Sequence, residues 1–206
     1  MDFLPNKPHF EQKSISITKK PLKPAQQGDF SSQCGFYAVG NIMSLLFPKI
    51  RKTKVFEFIW DYYDETYGDA YGVLYGIHRD KLNKILCNLI DEFDLPCTVY
   101  RPWWSRKAAS MDEFLNKINN SLLPPDSAII IAYEHGLEED RDYYSHWSII
   151  KKITGKSLLL FDSDGESSRI PLHRCDLWPK EYSKERPYRL SSTDTFIVSK
   201  KEEKKT

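Results

Sequence analysis

No stretch of this sequence approaches the length and apolarity of a bilayer span, so nothing in it reads as an integral helical membrane protein. It also lacks an excess of either charge. Thirty basic and 29 acidic residues leave a net +1 at pH 7, so no global field points to nucleic acid or to an acidic partner. Cysteine is sparse, with Cys34, Cys87, Cys97 and Cys175 in 206 residues. No C-x-x-C or paired Cys/His spacing argues for structural zinc, and a chain of this length does not need disulfide staples. Neither a P-loop nor a dinucleotide glycine pattern occurs, so no cofactor and no metal are expected. Internal repeats and low-complexity tracts are missing too. What is present is a globular composition, 40% hydrophobic and 29% charged, enough for one domain with its own core.

Residues 1–25 read as an extended arm. They carry Pro5, Pro8, Pro21 and Pro24, with an alternating stretch at 14–18 that fits an edge strand. The arm holds lysines among its prolines and no apolar core of signal-peptide length. The expected location is therefore the cytoplasm, or outside it by a route without a cleavable signal. Residues 34–47 predict a buried helix ended by Pro48, and residues 53–66 a second helix. The Gly/Tyr-rich stretch 67–76 reads as a loop. Residues 78–93 place Leu82, Ile85, Leu86, Leu89, Ile90 and Phe93 on one face of an amphipathic helix, and Ser110 with Glu113 caps another over 111–122. Short strands are expected at 98–100, 128–133, 147–153, 156–161, 170–172 and 195–198. Helices first and an antiparallel sheet second make an α+β pattern. The domain is expected over 26–199, and 200–206 as a charged tail.

Three residues carry chemistry. Cys34 opens the first apolar helix, where the partial positive charge of the helix terminus suits a nucleophilic sulfur. Gly35 beside it lets the backbone turn tightly and lets substrate approach. His146, at the start of a strand, is placed as a base, with Trp147 to shield it from water; His135, His78, His9 and His173 are competitors. Asp162 ends the next strand, so antiparallel pairing sets it beside His146, where it would orient the ring. Asp164 is the alternate. Gln27 is the first candidate for an oxyanion donor beside the Cys34 N–H, with Gln26 and Gln33 as alternates.

In this order the residues resemble the papain-like cysteine peptidases, nearest among them the bacterial C39-like peptidases. The resemblance rests on residues 26–42 and 144–165, chiefly a Gln before Cys34-Gly35 and the pair His146-Trp147 with Asp162-Ser163. It implies a central helix starting at Cys34 packed on a C-terminal sheet. It also implies a nucleophile, base, orienting acid and oxyanion donor at Cys34, His146, Asp162 and Gln27. Gln27 lies seven positions before Cys34, where the family Gln lies six before.

The leading function is therefore a cysteine hydrolase that cleaves a peptide or isopeptide bond through a thioester, with a protein or peptide as substrate and neither nucleic acid nor membrane as partner. One alternative keeps the site but attacks a glutamine side chain, giving deamidation or transglutamination, as in secreted bacterial effectors or toxins. Another is an inactive papain-like binding module. The acidic, aromatic run 136–144 precedes His146 and reads as a solvated charge run or as a segment hanging over the site. Tyr62, Tyr63, Tyr67, Tyr71 and Tyr75 either cover a core edge or line a groove.

Overall fold

A computed structural model describes residues 22–27, 31–124, 126–136, 143–164 and 169–201. Its central helix, α1 (Cys34–Leu46), forms because Phe36, Val39, Ile42, Met43 and Leu46 recur at helical spacing, and all five are buried. Small residues let neighbours close in on it. A Cβ on Gly35 would lie 2.5 Å from Ile77 Cγ1 and 3.3 Å from the Trp147 ring. Gly35 thus admits a neighbouring side chain and indole; its backbone does not occupy the left-handed region.

Helices α2 (Lys52–Tyr67) and α4 (Arg79–Glu92) pack on α1 through Val55, Ile59, Tyr63, Leu82, Ile85, Leu86 and Leu89. Between them the stretch expected to be a loop contains a short helix, α3 (Tyr71–Tyr75). Gly72 makes it feasible, because its N–H donates to the Tyr63 hydroxyl at 3.0 Å, an approach a side chain would block. Tyr63 is in the core, whereas Tyr71 and Tyr75 are exposed, with ring centroids 4.9 Å apart.

The described strands are β1 (Cys97–Tyr100), β2 (Ser127–Gly136), β3 (Tyr143–Thr154), β4 (Ser157–Leu160), β5 (Arg169–Pro171), β6 (Cys175–Leu177) and β7 (Tyr188–Lys200). They join in one sheet of order β1-β7-β2-β3-β4-β5. Every pairing along that path is antiparallel, and β6 adds to β7 in parallel. Two expectations change here. The sheet is not purely antiparallel, and it is not confined to the C-terminal half, since β1 pairs with the end of β7.

Alternation along the strands divides the core in two. Ala128, Ile130, Ala132, Trp147, Ile149, Phe196 and Val198 face α1, α2 and α4. Ile129, Ile131, Tyr133, Ile150, Leu190 and Ile197 face the other way, onto Trp103 and α5 (Met111–Ser121). Ser110 caps α5, its hydroxyl accepting from the Glu113 N–H at 3.1 Å.

The arm residues that are described lie on this body. Buried Asn41 accepts from the Ala25 N–H at 2.6 Å and donates back to the Ala25 carbonyl at 3.0 Å, so the chain at residue 25 is fastened to α1. The strand expected at 14–18 lies outside the described residues, as do 202–206. Lys200 belongs to β7 and pairs with Cys97. Among the described residues no helix is long and apolar enough to cross a membrane.

Candidate functional site

The site forms where, among the described residues, β3 pairs on one side. Its residues 143–148 pair with β2, but pairing with β4 begins only at Ile150. The chain after β4 and Gln27, just past the arm, meet at this edge. The Gln27 N–H donates to the Ser163 carbonyl at 3.1 Å, and the Ser163 hydroxyl donates to Gln27 Oε1 at 2.9 Å.

β3 begins at Tyr143, so His146 lies inside the strand rather than at its start. His146 is completely buried. Its Nε2 is 2.6 Å from Asp162 Oδ1. Its other nitrogen, Nδ1, is 2.8 Å from the Tyr144 hydroxyl, and the Cys34 thiol lies close enough for its charge to act on the ring. Asp162 is held on both oxygens. The Ser148 hydroxyl donates to Oδ2 at 2.5 Å, and the Asp164 N–H donates to Oδ1 at 3.2 Å. Cys34 is the first residue of α1, and its Sγ accepts from the Trp147 N–H at 3.3 Å.

The electrostatics follow from these contacts. Burial disfavours a charged imidazole, but the hydrogen bond the ring donates to Asp162, the Asp162 charge and the neighbouring Cys34 outweigh it, and His146 is raised to about 10. Burial likewise opposes the Asp162 carboxylate, while the bond to His146 holds the group below its ordinary value. Near neutral pH the two form a buried ion pair.

Cys34, His146, Asp162 and Gln27 are thus brought together. Asp164 lies just behind, its Oδ2 4.0 Å from His146 Nε2. Gln26 does not join them: it is exposed and lines a shallow hollow with Leu22, Lys151 and Asp162. Gln33 is the residue before α1 and makes no side-chain cap. Among the competing histidines, His135 stacks on Tyr188 at 4.4 Å, exposed His78 accepts from the Asp80 N–H, and His173 sits in a short 3-10 turn. His9 lies outside the described residues. Trp147 does not cover the imidazole. Its ring packs by Phe196 and Gly35, and its Nε1 donates to the Ile77 carbonyl at 3.2 Å. The ring stacked on His146 is that of Tyr144, at 5.4 Å and 22°, with Tyr133 edge-on at 5.5 Å.

Tyr144, Ser148 and Ser163 are partners to which the sequence reading gave no individual role in the site. A signal existed for two of them. Tyr144, His146 and Ser148 alternate along one strand and so share a face.

His146, Asp162 and Asp164 offer ligand atoms within 4.8 Å of one another, a grouping that could in principle hold a cation. The donor geometry is that of a hydrogen bond instead. Two atoms each about 2.1 Å from one tetrahedral ion stand roughly 3.4 Å apart, and Nε2 and Oδ1 are 2.6 Å apart. A cavity of about 450 Å³ opens at the β2–β3 pair, and none of Cys34, His146, Asp162, Gln27 or Tyr144 lines it. Tyr133 and Ser145 line it, and Arg79, Lys107, Glu134 and Arg189 are among its charged lining.

No family model matches this sequence, and no curated protein matches it. A solved structure described as a "putative C39-like peptidase from Bacillus anthracis" is similar to this chain, with a TM-score of 0.48 and 10% identity, over 89% of this chain and 96% of that one. This is a distant likeness of fold.

Proposed function

We propose that the chain is a cysteine hydrolase of peptide or isopeptide bonds, with Cys34 as nucleophile, His146 as acid and base, Asp162 as orienting group and Gln27 as oxyanion donor. The observation that carries this reading is the His146 ring itself, bonded to Asp162 through Nε2 at 2.6 Å and bordered by the Cys34 thiol, with all three residues buried. A structural cysteine would not need a histidine raised to about 10 beside it, nor a carboxylate fixed by three donors.

In this mechanism the Cys34 sulfur attacks the substrate carbonyl carbon, and the carbonyl electron pair moves onto oxygen. The Gln27 amide and the Cys34 N–H face that oxyanion. The His146 imidazolium gives its proton to the departing amine as the tetrahedral adduct collapses to a thioester. Neutral His146 then takes a proton from water, the hydroxide adds to the thioester, and the acid product leaves as the thiol reforms. Asp162 remains an anion throughout and holds Nε2–H, which keeps Nδ1 toward the reacting atoms. The 450 Å³ cavity next to Ser145 offers room for a substrate side chain.

The test is acylation by a generic activated ester, p-nitrophenyl acetate, followed by intact mass. A burst of nitrophenolate with one acetyl group on Cys34, lost in Cys34→Ala and His146→Ala, is the expected result. Acetylation spread over lysines with no burst would overturn the reading.

A further inference from the structure

The closed state of the site leaves no seat for a substrate carbonyl. His146 is fully buried and Cys34 is 4% exposed. Among the described residues the Tyr144 side chain covers the imidazole, its ring stacked on His146 and its hydroxyl at the nitrogen not held by Asp162. The hydroxyl lies 2.8 Å from His146 Nδ1, and it is close enough to Cys34 to feel the charge of its sulfur. The third partner is Gln27. Its Oε1 is tied to the Ser163 hydroxyl, which turns the amide nitrogen outward, and the Gln27 side chain donates to the Tyr144 oxygen.

We propose that the Tyr144 hydroxyl occupies the seat of the substrate's carbonyl oxygen, and that Tyr144 is a side-chain gate which must swing out before Cys34 can be acylated. This rests on the reading of Cys34 and Gln27 given above. An oxygen that accepts from the oxyanion donor, beside the nucleophile and the imidazole, mimics the ground-state carbonyl at the position where negative charge would develop. It also engages Nδ1, the nitrogen that must face sulfur and leaving group in turn.

The gate is a single side chain. Tyr144 is half-buried, and among the described residues it pairs with His135 of β2 while pairing with β4 begins only at Ile150. Two contacts hold it in: the stack on His146 at 5.4 Å and the hydroxyl's hydrogen bonds. Burial keeps the phenol protonated well above its ordinary range, with the neighbouring anions adding to the effect, so the closed state lasts across the neutral range. A substrate carbonyl replaces these bonds in kind. The gate therefore favours ligands that bring both a carbonyl and enough binding surface to displace a ring.

The experiment measures the second-order rate of Cys34 alkylation by iodoacetamide in the intact chain, by mass, for wild type, Tyr144→Phe, Tyr144→Ala and each with His146→Ala. Tyr144→Ala is expected to react about tenfold faster than wild type, the factor associated with releasing roughly one net hydrogen bond. Tyr144→Phe, which keeps the ring and the packing, should fall between, and a bulkier maleimide probe should gain more than iodoacetamide. Unchanged or slower labelling in both Tyr144 variants, with Cys34 still outpacing Cys87 in wild type, overturns the gate and leaves the hydrolase reading standing. Faster labelling in Tyr144→Ala that does not depend on His146 upholds the gate and removes the base. If Cys34 never outpaces Cys87 in any variant, both readings fall.

Discussion

Ser163 donates its hydroxyl to Gln27 Oε1 at 2.9 Å, both residues being buried, and so ties the segment before α1 to the turn that carries Asp162. An amide can rotate by half a turn at little cost unless one end is claimed. Ser163 claims the oxygen and thereby sets which atom of Gln27 faces the site.

Gln27→Ala should slow nitrophenolate release from p-nitrophenyl acetate by about 10²–10³-fold, the usual effect of removing one oxyanion donor. Ser163→Ala keeps the donor but frees its orientation, and should cost about tenfold. Equal losses in the two variants would mean that Ser163 does more than fix the amide.

The ion pair of His146 with Asp162 makes stability depend on pH in a definite direction. His146 has a folded value near 10 against an ordinary 6.5. Its contribution is full below about 6.5 and is lost as the pH rises through about 10. Asp162 is held low, so its contribution is present above 3.8 and fades as the pH falls below that. Melting temperature should therefore decline between pH 7 and pH 10 in wild type and decline less in Asp162→Asn. In the same variant the His146 titration, followed by nitrogen NMR, should move down by about 1–3 units. A His146 that titrates near 6.5 in wild type would contradict this.

Ser148→Ala leaves Asp162 Oδ2 without the donor that now sits 2.5 Å away. Chemical denaturation should show a loss of about 1–3 kcal/mol, the cost of stranding a buried acceptor. A neutral result would mean that water enters in its place.

Gly35→Ala should destabilise the fold by about 1–3 kcal/mol, since the new Cβ lands 2.5 Å from Ile77 Cγ1 and something must shift. Ile77→Val on the same background, which trims that side chain, should recover part of the loss. If Gly35 instead served only to let substrate approach, stability would hold and acylation alone would suffer.

The parts of the fold that the sequence made legible are those governed by local periodicity. Leu82, Ile85, Leu86 and Leu89 mark α4 because a helical stripe needs no knowledge of its partner, and Ser110 with Glu113 marks the start of α5 by capping chemistry. The first half of β7 carries Tyr188, Arg189, Ser191, Ser192, Thr193 and Asp194, a polar run whose strand character comes from pairing with β2 across a register shift. β6 is three residues long and owes its existence to β7. The site divides the same way. His146 beside Asp162 follows from adjacent strands joined by a tight turn. The Tyr144 contact was obscured because that residue closes an acidic run that reads as a solvated surface. The Gln27–Ser163 bond spans 136 positions, a separation no local pattern encodes.

The most direct test of the central claim compares the thiols of one molecule. Burial pushes Cys97 to about 11 and Cys175 to about 12, and raises Cys87 as well. At about pH 6 these three should be nearly inert to low iodoacetamide, because the thiolate is the reacting form. Intact-mass labelling with peptide mapping should find Cys34 modified first and alone, with that preference lost in His146→Ala. Labelling of Cys34 no faster than Cys87, or a preference that survives the loss of His146, would contradict a thiol activated by its histidine.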